Sequence, residues 1–256
     1  MSIIQHIYLQ LLEFGPSRRR LRRLRALMQG WAGYTDPYYE IAKLTKLADA
    51  NLFVDIGCHD GRTLRRFIES GVHTDVVAFD PLPGNIEKAK RTLSAYADSI
   101  QFVQAAMSDE DGEAKFYQNV NDQTSSLLEN EKGNINSFKV ETQHQAVLRV
   151  PTVKLDTWMR ESGIEDPRLV IKCDTQGAEG KVIAGGLKSF GDCVHAFYGE
   201  VMLGEMYEGQ ASFQDLRQLL EHECGMVLKN IYPCMHDARG EAVQMDVLWV
   251  KRDYLR

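Results

Sequence analysis

The chain has 256 residues, 44% of them hydrophobic, and a formal net charge of −6 at pH 7. That length supplies one α/β domain with a full core plus an appendage, and the acidic balance argues against nucleic acid as a partner. Five cysteines at irregular spacings offer neither a disulfide framework nor a paired metal motif, which points to a reducing, cytoplasmic setting. No apolar stretch approaches the ~18 residues needed to span a bilayer.

In chain order, Ile3, Ile4, Ile7, Leu11 and Phe14 have helical spacing, broken at Gly15-Pro16. The basic run follows this stretch rather than preceding it, the wrong order for a secretory signal. Between Ser17 and Met28, Leu21, Leu24, Leu27 and Met28 form a narrow apolar stripe on an Arg-rich helix. Such a helix makes weak contact with an anionic membrane surface, or packs on the domain with a solvated arginine face, which is the simpler reading. Tyr34 to Ala50 continues helically. Residues 1–48 therefore read as a helical extension and 49–256 as the main domain.

Leu52 to Ile56 is a short apolar run that reads as a buried strand. Gly57 and Gly61 bracket a turn, and Arg62 to Ser70 has helical spacing. Strand, glycine turn and helix open a doubly wound nucleotide-binding fold. The turn lacks the G-x-G-x-x-G pattern of dinucleotide sites and carries Asp55 and Asp60. Two carboxylates there would oppose a pyrophosphate by ~1 kcal/mol or more each and favour a cation. S-adenosylmethionine, a nucleoside with a sulfonium and an ammonium, suits them; a Gly-Asp turn in any α/β protein would look the same. Val76 to Asp80 is the next strand. It ends on an acid about twenty residues past the turn, where carboxylates hold ribose hydroxyls. The plainer role for Asp80 is to cap the helix near Pro83.

Helix 83–97 and strand 100–104 follow, a rhythm that implies a parallel sheet with right-handed crossovers. Gln104, Ala105 and Ala106 then face the adenine, Gln104 toward its amine, although core packing explains the alanines equally well. Residues 118–146 are polar, Asn/Gln-rich and long for a connection, which predicts a mobile lid between strands at 114–117 and 147–153. Helix 155–162 leads to strand Leu169–Cys173, ending at Asp174. Strand 193–198 ends near Glu200, helix 212–222 follows, and strands 226–231 and 244–251 read as an antiparallel pair. The sum is a seven-stranded, mostly parallel sheet with its last strand reversed.

Three stretches resemble the FkbM family of S-adenosylmethionine-dependent methyltransferases: Val54 to Gly61, including Cys58; Ala78-Phe79-Asp80-Pro81; and Val170 to Glu179. The last is similar to the family's Lys-hydrophobic-Asp-x-Glu-Gly-Ala-Glu signature, with Gln176 where many members have Glu. Val150 to Asp156 resembles the lead-in to it. The resemblance implies the class I methyltransferase (Rossmann-like) fold and O-methylation of a sugar, glycan or other small hydroxylated acceptor. A hydroxyl acceptor needs a base within hydrogen-bond reach. Asp174 is the first candidate, then Glu179 and Glu200, with His144 in the lid a weaker one. Simpler roles are a helix cap for Asp174, a first-turn carboxylate for Glu179 and a solvated edge charge for Glu200. No acidic pair stands beside Asp174, so no metal is expected. Two competing readings are a Rossmann-type oxidoreductase, which the acidic turn disfavours, and a module that binds the cofactor without catalysis.

Overall fold

The computed structural model describes residues 36–131, 144–237 and 239–255. The expected helices at 2–14 and 17–28, with the Arg-rich segment, lie outside these. The first described helix, α1 (Pro37–Leu47), starts from Asp36, whose side chain accepts from the Tyr38 N–H, with Pro37 in its first turn. It buries Ile41, Ala42 and Leu44 against the sheet. Its Glu40 Oε2 accepts from Asn230 Nδ2 at 2.9 Å and from the Tyr232 hydroxyl at 2.8 Å.

Strands β1 (Leu52–Ile56), β2 (Asp75–Phe79) and β3 (Ile100–Val103) alternate with helices α2 (Arg62–Ser70) and α3 (Pro83–Thr92). Strands β4 (Ala106–Met107), β5 (Gly112–Asn119) and β6 (His144–Val153) make a separate three-stranded sheet in the order β4-β6-β5. The main sheet resumes with β7 (Leu169–Cys173) and β8 (Val194–Met202), then β9 (Met226–Ile231), β10 (Met235–His236) and β11 (Ala242–Lys251). It runs β10-β11-β8-β7-β1-β2-β3, with β9 also on β11. The strands from β3 to β8 are parallel, and β11 is antiparallel to both β8 and β9. The seven expected strands are present with the last reversed, and the two-residue β10 is an eighth.

All five residues of β1, and all five of β7, are buried, as inner parallel strands covered on both faces require. Val54, Ile56, Ile171 and Cys173 face one core, shared with α4 (Leu155–Ser162), α5 (Glu179–Ala184), α6 (Leu187–Asp192) and α7 (Phe213–Arg217). Phe53 and Val170 face the other, with α1, α2 and α3. Among the described residues no helix is long and apolar enough to cross a membrane.

Residues 118–146 differ from the expected lid. Pairing of β5 with β6 extends to Asn119 and His144, so both ends of the segment belong to strands. Residues 120–131 form a strap that lines the cavity at 121–125 and 127, and 132–143 lie outside the described residues.

Candidate active site

The C-terminal ends of β1, β2, β7 and β8 open into a cavity of about 560 Å³, where parallel α/β sheets bind ligands. Gly57 has φ +77°, and a Cβ there would stand 2.0 Å from the Asp174 carbonyl oxygen. Only glycine lets the β1 turn rest on the end of β7. His59 is also left-handed (φ 48°), and its N–H donates to Asp80 Oδ2 at 3.0 Å. Leu82 N–H and Asn85 Nδ2 donate to Asp80 Oδ1 at 2.9 and 3.2 Å. Burial raises the Asp80 pKa above its usual value despite these donors. Phe79, Ala105, Ala106 and Phe116 form the apolar wall.

Parallel register sets Lys172 directly beside Asp55. Lys172 is 3% exposed and Asp55 0%. The ammonium lies 2.9 Å from Asp55 Oδ1 and 4.0 Å from Asp174 Oδ2, and it donates to the Gly57 carbonyl at 2.7 Å. Among the described residues neither Asp55 oxygen receives a well-aligned hydrogen bond, so Lys172 meets it as an ion pair. Burial works to lower the Lys172 pKa, but the charges of Asp55 and Asp174 outweigh it and hold it above the usual lysine value. Burial pushes Asp55 up, against the Lys172 charge.

At the other end of the cavity, Gln176 (φ 57°) joins two carboxylates. Its Nε2 donates to Asp174 Oδ1 at 2.9 Å and to Glu200 Oε2 at 2.7 Å. Gln244 Nε2 donates to Glu200 Oε1 at 2.6 Å. The Tyr207 hydroxyl lies 3.0 Å from both Gln176 Oε1 and the Thr124 carbonyl, and Ser126 Oγ donates to the Gln176 carbonyl at 2.7 Å. Burial, then the charges of Asp174, Glu179 and Asp246, push the Glu200 carboxyl up. Along the strap, Asp122 meets His59 Nε2 at 3.0 Å and Lys88 Nζ at 2.7 Å. Burial opposes ionisation of Asp122, but Lys88 and His59 prevail and its pKa is lowered.

Gly57, Cys58, Asp60, Phe79, Asp80, Pro81, Ala105, Ala106, Asp174 and Glu200 all line the cavity; five other expected residues do not. Asp55 is sealed behind the turn by Lys172. Gly61 packs on α3 and its C-cap, where a Cβ would stand 3.1 Å from the Ala89 Cα and 2.8 Å from the Leu93 side chain. Gln104 follows the end of β3 and turns to solvent. Glu179 is buried and accepts from Thr175 N–H at 2.7 Å and Oγ1 at 2.9 Å. It organises the turn after β7, and burial lifts its pKa to about 7. His144 begins β6 beside Asn119, 3.1 Å from its Oδ1, because strand pairing continues through it. The acidity facing the cavity thus comes from Asp60, Asp80, Asp122, Asp174 and Glu200 rather than Asp55, with Asp60 paired with Arg62 and Asp122 with His59 and Lys88.

Sequence reasoning missed Lys172, Gln244, and the linking role of Gln176. A lone lysine inside the apolar run of β7 was the available signal for the first. Gln244 carries none, since it reaches the site only through the pairing of β11 with β8.

The residues fit S-adenosylmethionine. A turn with no room for a Cβ, an acid ending β2, an apolar wall for a purine and carboxylates toward a cationic centre are its complements. Residues 55–228 match the family described as Methyltransferase FkbM domain. The chain is similar to the 2-O-methyltransferase NoeI of Sinorhizobium fredii (strain NBRC 101917 / NGR234), 28% identical over 208 residues, covering 78% of this chain and 84% of that one. Among solved structures it resembles the magnesium protoporphyrin IX methyltransferase of Synechocystis PCC 6803 with bound SAM, at 12% identity and TM-score 0.43, covering 98% of this chain and 92% of that one. It also resembles the methyltransferase domain of bacterial CtHen1-C, at 11% identity and TM-score 0.45, covering 84% and 96%. The family match spans more than half of the chain and takes in the C-terminal ends of β1, β2, β7 and β8 at the cavity, so the chain belongs to the FkbM methyltransferase family and takes S-adenosylmethionine as its methyl donor.

Proposed function

We propose that the chain methylates a hydroxyl on a sugar, glycan or other small hydroxylated acceptor, with Asp174 taking the hydroxyl proton. The position of Asp174 carries this reading. Its side chain lines the cavity, its backbone supports the Gly57 turn, and its carboxylate is joined through Gln176 to Glu200. The similar 2-O-methyltransferase supports a hydroxyl acceptor. The lining of Asp174, Gln176, Glu200 and Gln244 suits a polyhydroxylated molecule, because each polar group needs a hydrogen-bond partner when water is displaced. All five cysteines are free, in keeping with a reducing cytoplasm.

When bound, S-adenosylmethionine supplies a methyl group on a good leaving group. The Gly57 turn, Asp80 and the wall of Phe79, Ala105, Ala106 and Phe116 would hold it. Alignment of the acceptor oxygen provides much of the rate, and Asp174 accepts its proton as that oxygen attacks. Asp174→Asn keeps size and hydrogen bonding but removes basicity. With methyl-labelled cofactor and a panel of methyl hexopyranosides, turnover falls by roughly 10²–10⁴ while calorimetric cofactor affinity holds. Turnover close to wild type would move the role to Glu200.

A further inference from the structure

Two carboxylates reach the acceptor end of the cavity, and they are not equivalent. Both oxygens of Glu200 are occupied by amide donors, Oε2 by Gln176 and Oε1 by Gln244. Among the described residues only one oxygen of Asp174 accepts a hydrogen bond, Oδ1, again from Gln176. Asp174 Oδ2 has Lys172 at 4.0 Å and is the acceptor position left for a substrate. A single nitrogen serves both carboxylates, so they lie no farther apart than its two hydrogen bonds laid end to end. Its oxygen faces the Tyr207 hydroxyl, which orients the amide, and its backbone is held left-handed with Ser126 on its carbonyl. A non-glycine residue in that region is strained and persists where its surroundings over-determine it.

We propose that Gln176 is a positioning residue that divides the work between the two carboxylates, anchoring on Glu200 and holding Asp174 with Oδ2 toward the acceptor. This rests on the reading of Asp174 as the base. A glutamate at 176 places a third carboxyl where the donor stood. Its hydrogen-bond partners Glu200 from β8 and Tyr207 already feel the charges of Asp174 just after β7 and Glu179 from α5, and Glu200 feels those of Asp246 from β11 and Lys172 from β7 as well. One cation among these acids does not balance a further charge, so the cluster retains a proton near neutral pH.

The test follows the carboxyl carbons of ¹³C-labelled full-length chain by NMR from pH 4 to 9 with S-adenosylmethionine bound. Wild type, Gln176→Glu and Gln176→Leu are compared, and Asp174→Asn and Glu200→Gln assign the signals. In both position-176 variants an Asp174 or Glu200 midpoint rises by about one unit or more, a tenfold change in proton affinity. The acid limb of kcat/KM on the best methyl hexopyranoside moves up with it in Gln176→Glu, and cofactor affinity by calorimetry stays within about twofold, as an altered cluster rather than an altered fold requires. The near-isosteric Gln176→Glu keeps the test alive if Gln176→Leu does not fold. Unmoved Asp174 and Glu200 midpoints in Gln176→Glu overturn the proposal. Normal turnover in Asp174→Asn instead overturns the assignment of the base, and the two failures are read separately.

Discussion

Replacing Lys172 by methionine isolates the interaction beneath the cofactor turn. The lysine is 3% exposed and its partner Asp55 0%, so neither charge can be rescued by water without local opening. Removing one partner of a buried pair costs about 3–5 kcal/mol, chiefly because the remaining charge is stranded. Asp55 escapes by taking a proton. Its folded pKa is already raised by burial against the opposing Lys172 charge, and in the variant that opposition is gone. The folded chain then binds this proton more tightly than the unfolded chain, where the aspartate pKa is about 3.9. The contribution to stability is full below about pH 4 and falls by about 1.4 kcal/mol per unit as pH rises toward the folded pKa. Between pH 5 and 7 the variant loses up to about 2.7 kcal/mol. Urea denaturation of wild type, Lys172→Met, Asp55→Asn and the double variant at both pH values measures this, and the double variant regains more than half of the loss. An equal deficit at both pH values, or a double variant no more stable than Lys172→Met, would refute the reasoning.

Asp80→Ala removes the acceptor for the His59 and Leu82 N–H groups as well as the expected ribose partner. Cofactor affinity drops by roughly 10- to 100-fold in calorimetric titration, the value of one or two charged hydrogen bonds; unchanged affinity counts against the site. Glu179, with its pKa lifted by burial to about 7, contributes stability that is full below about pH 4.5 and is lost as pH rises through 7. Glu179→Gln flattens that dependence in thermal melts, and a wild-type slope in the variant argues against it. Asp122→Asn releases the strap from His59 and Lys88. Amide exchange across residues 120–126 quickens while global stability changes by less than about 1 kcal/mol, since these pairs are partly exposed.

The central sheet was legible because β1, β2, β7 and β8 are mostly apolar runs, broken by only one or two polar residues and with a glycine or acid at or near their C-terminal ends, and burial on both faces demands that pattern. The small sheet was half legible. Residues 114–117 and 147–153 read as strands, but β4 is only Ala106–Met107, too short for periodicity to register. Asp80 and Asp174 line the cavity as expected because a strand-terminal acid has few other places to point. Asp55 misled because its parity in β1 matches Phe53, facing the core with α1 and α2, and only the partner strand shows that Lys172 neutralises it there. Gln104 misled by one residue, since a strand ending at Val103 reverses which side chain turns inward. His144 failed because composition assigned it to a loop while pairing assigned it to a strand.

The contact between Glu40 and Tyr232 joins residues 192 positions apart. At a synthesis rate of 5–20 residues per second, roughly 10–40 s separate the appearance of the two on the ribosome. β1 waits similarly, because one of its edges is filled only by residues 169–173. During that interval α1 through β3 are out with a bare strand edge and a helix that has nothing to dock its glutamate on. Assembly is consequently slow and non-local, and the N-terminal half of the nascent chain keeps apolar surface and a strand edge uncovered until the later strands emerge. A ribosome stalled before β9 would release a chain that carries Asp80, Asp174 and Glu200 but has neither the Tyr232 anchor nor Gln244.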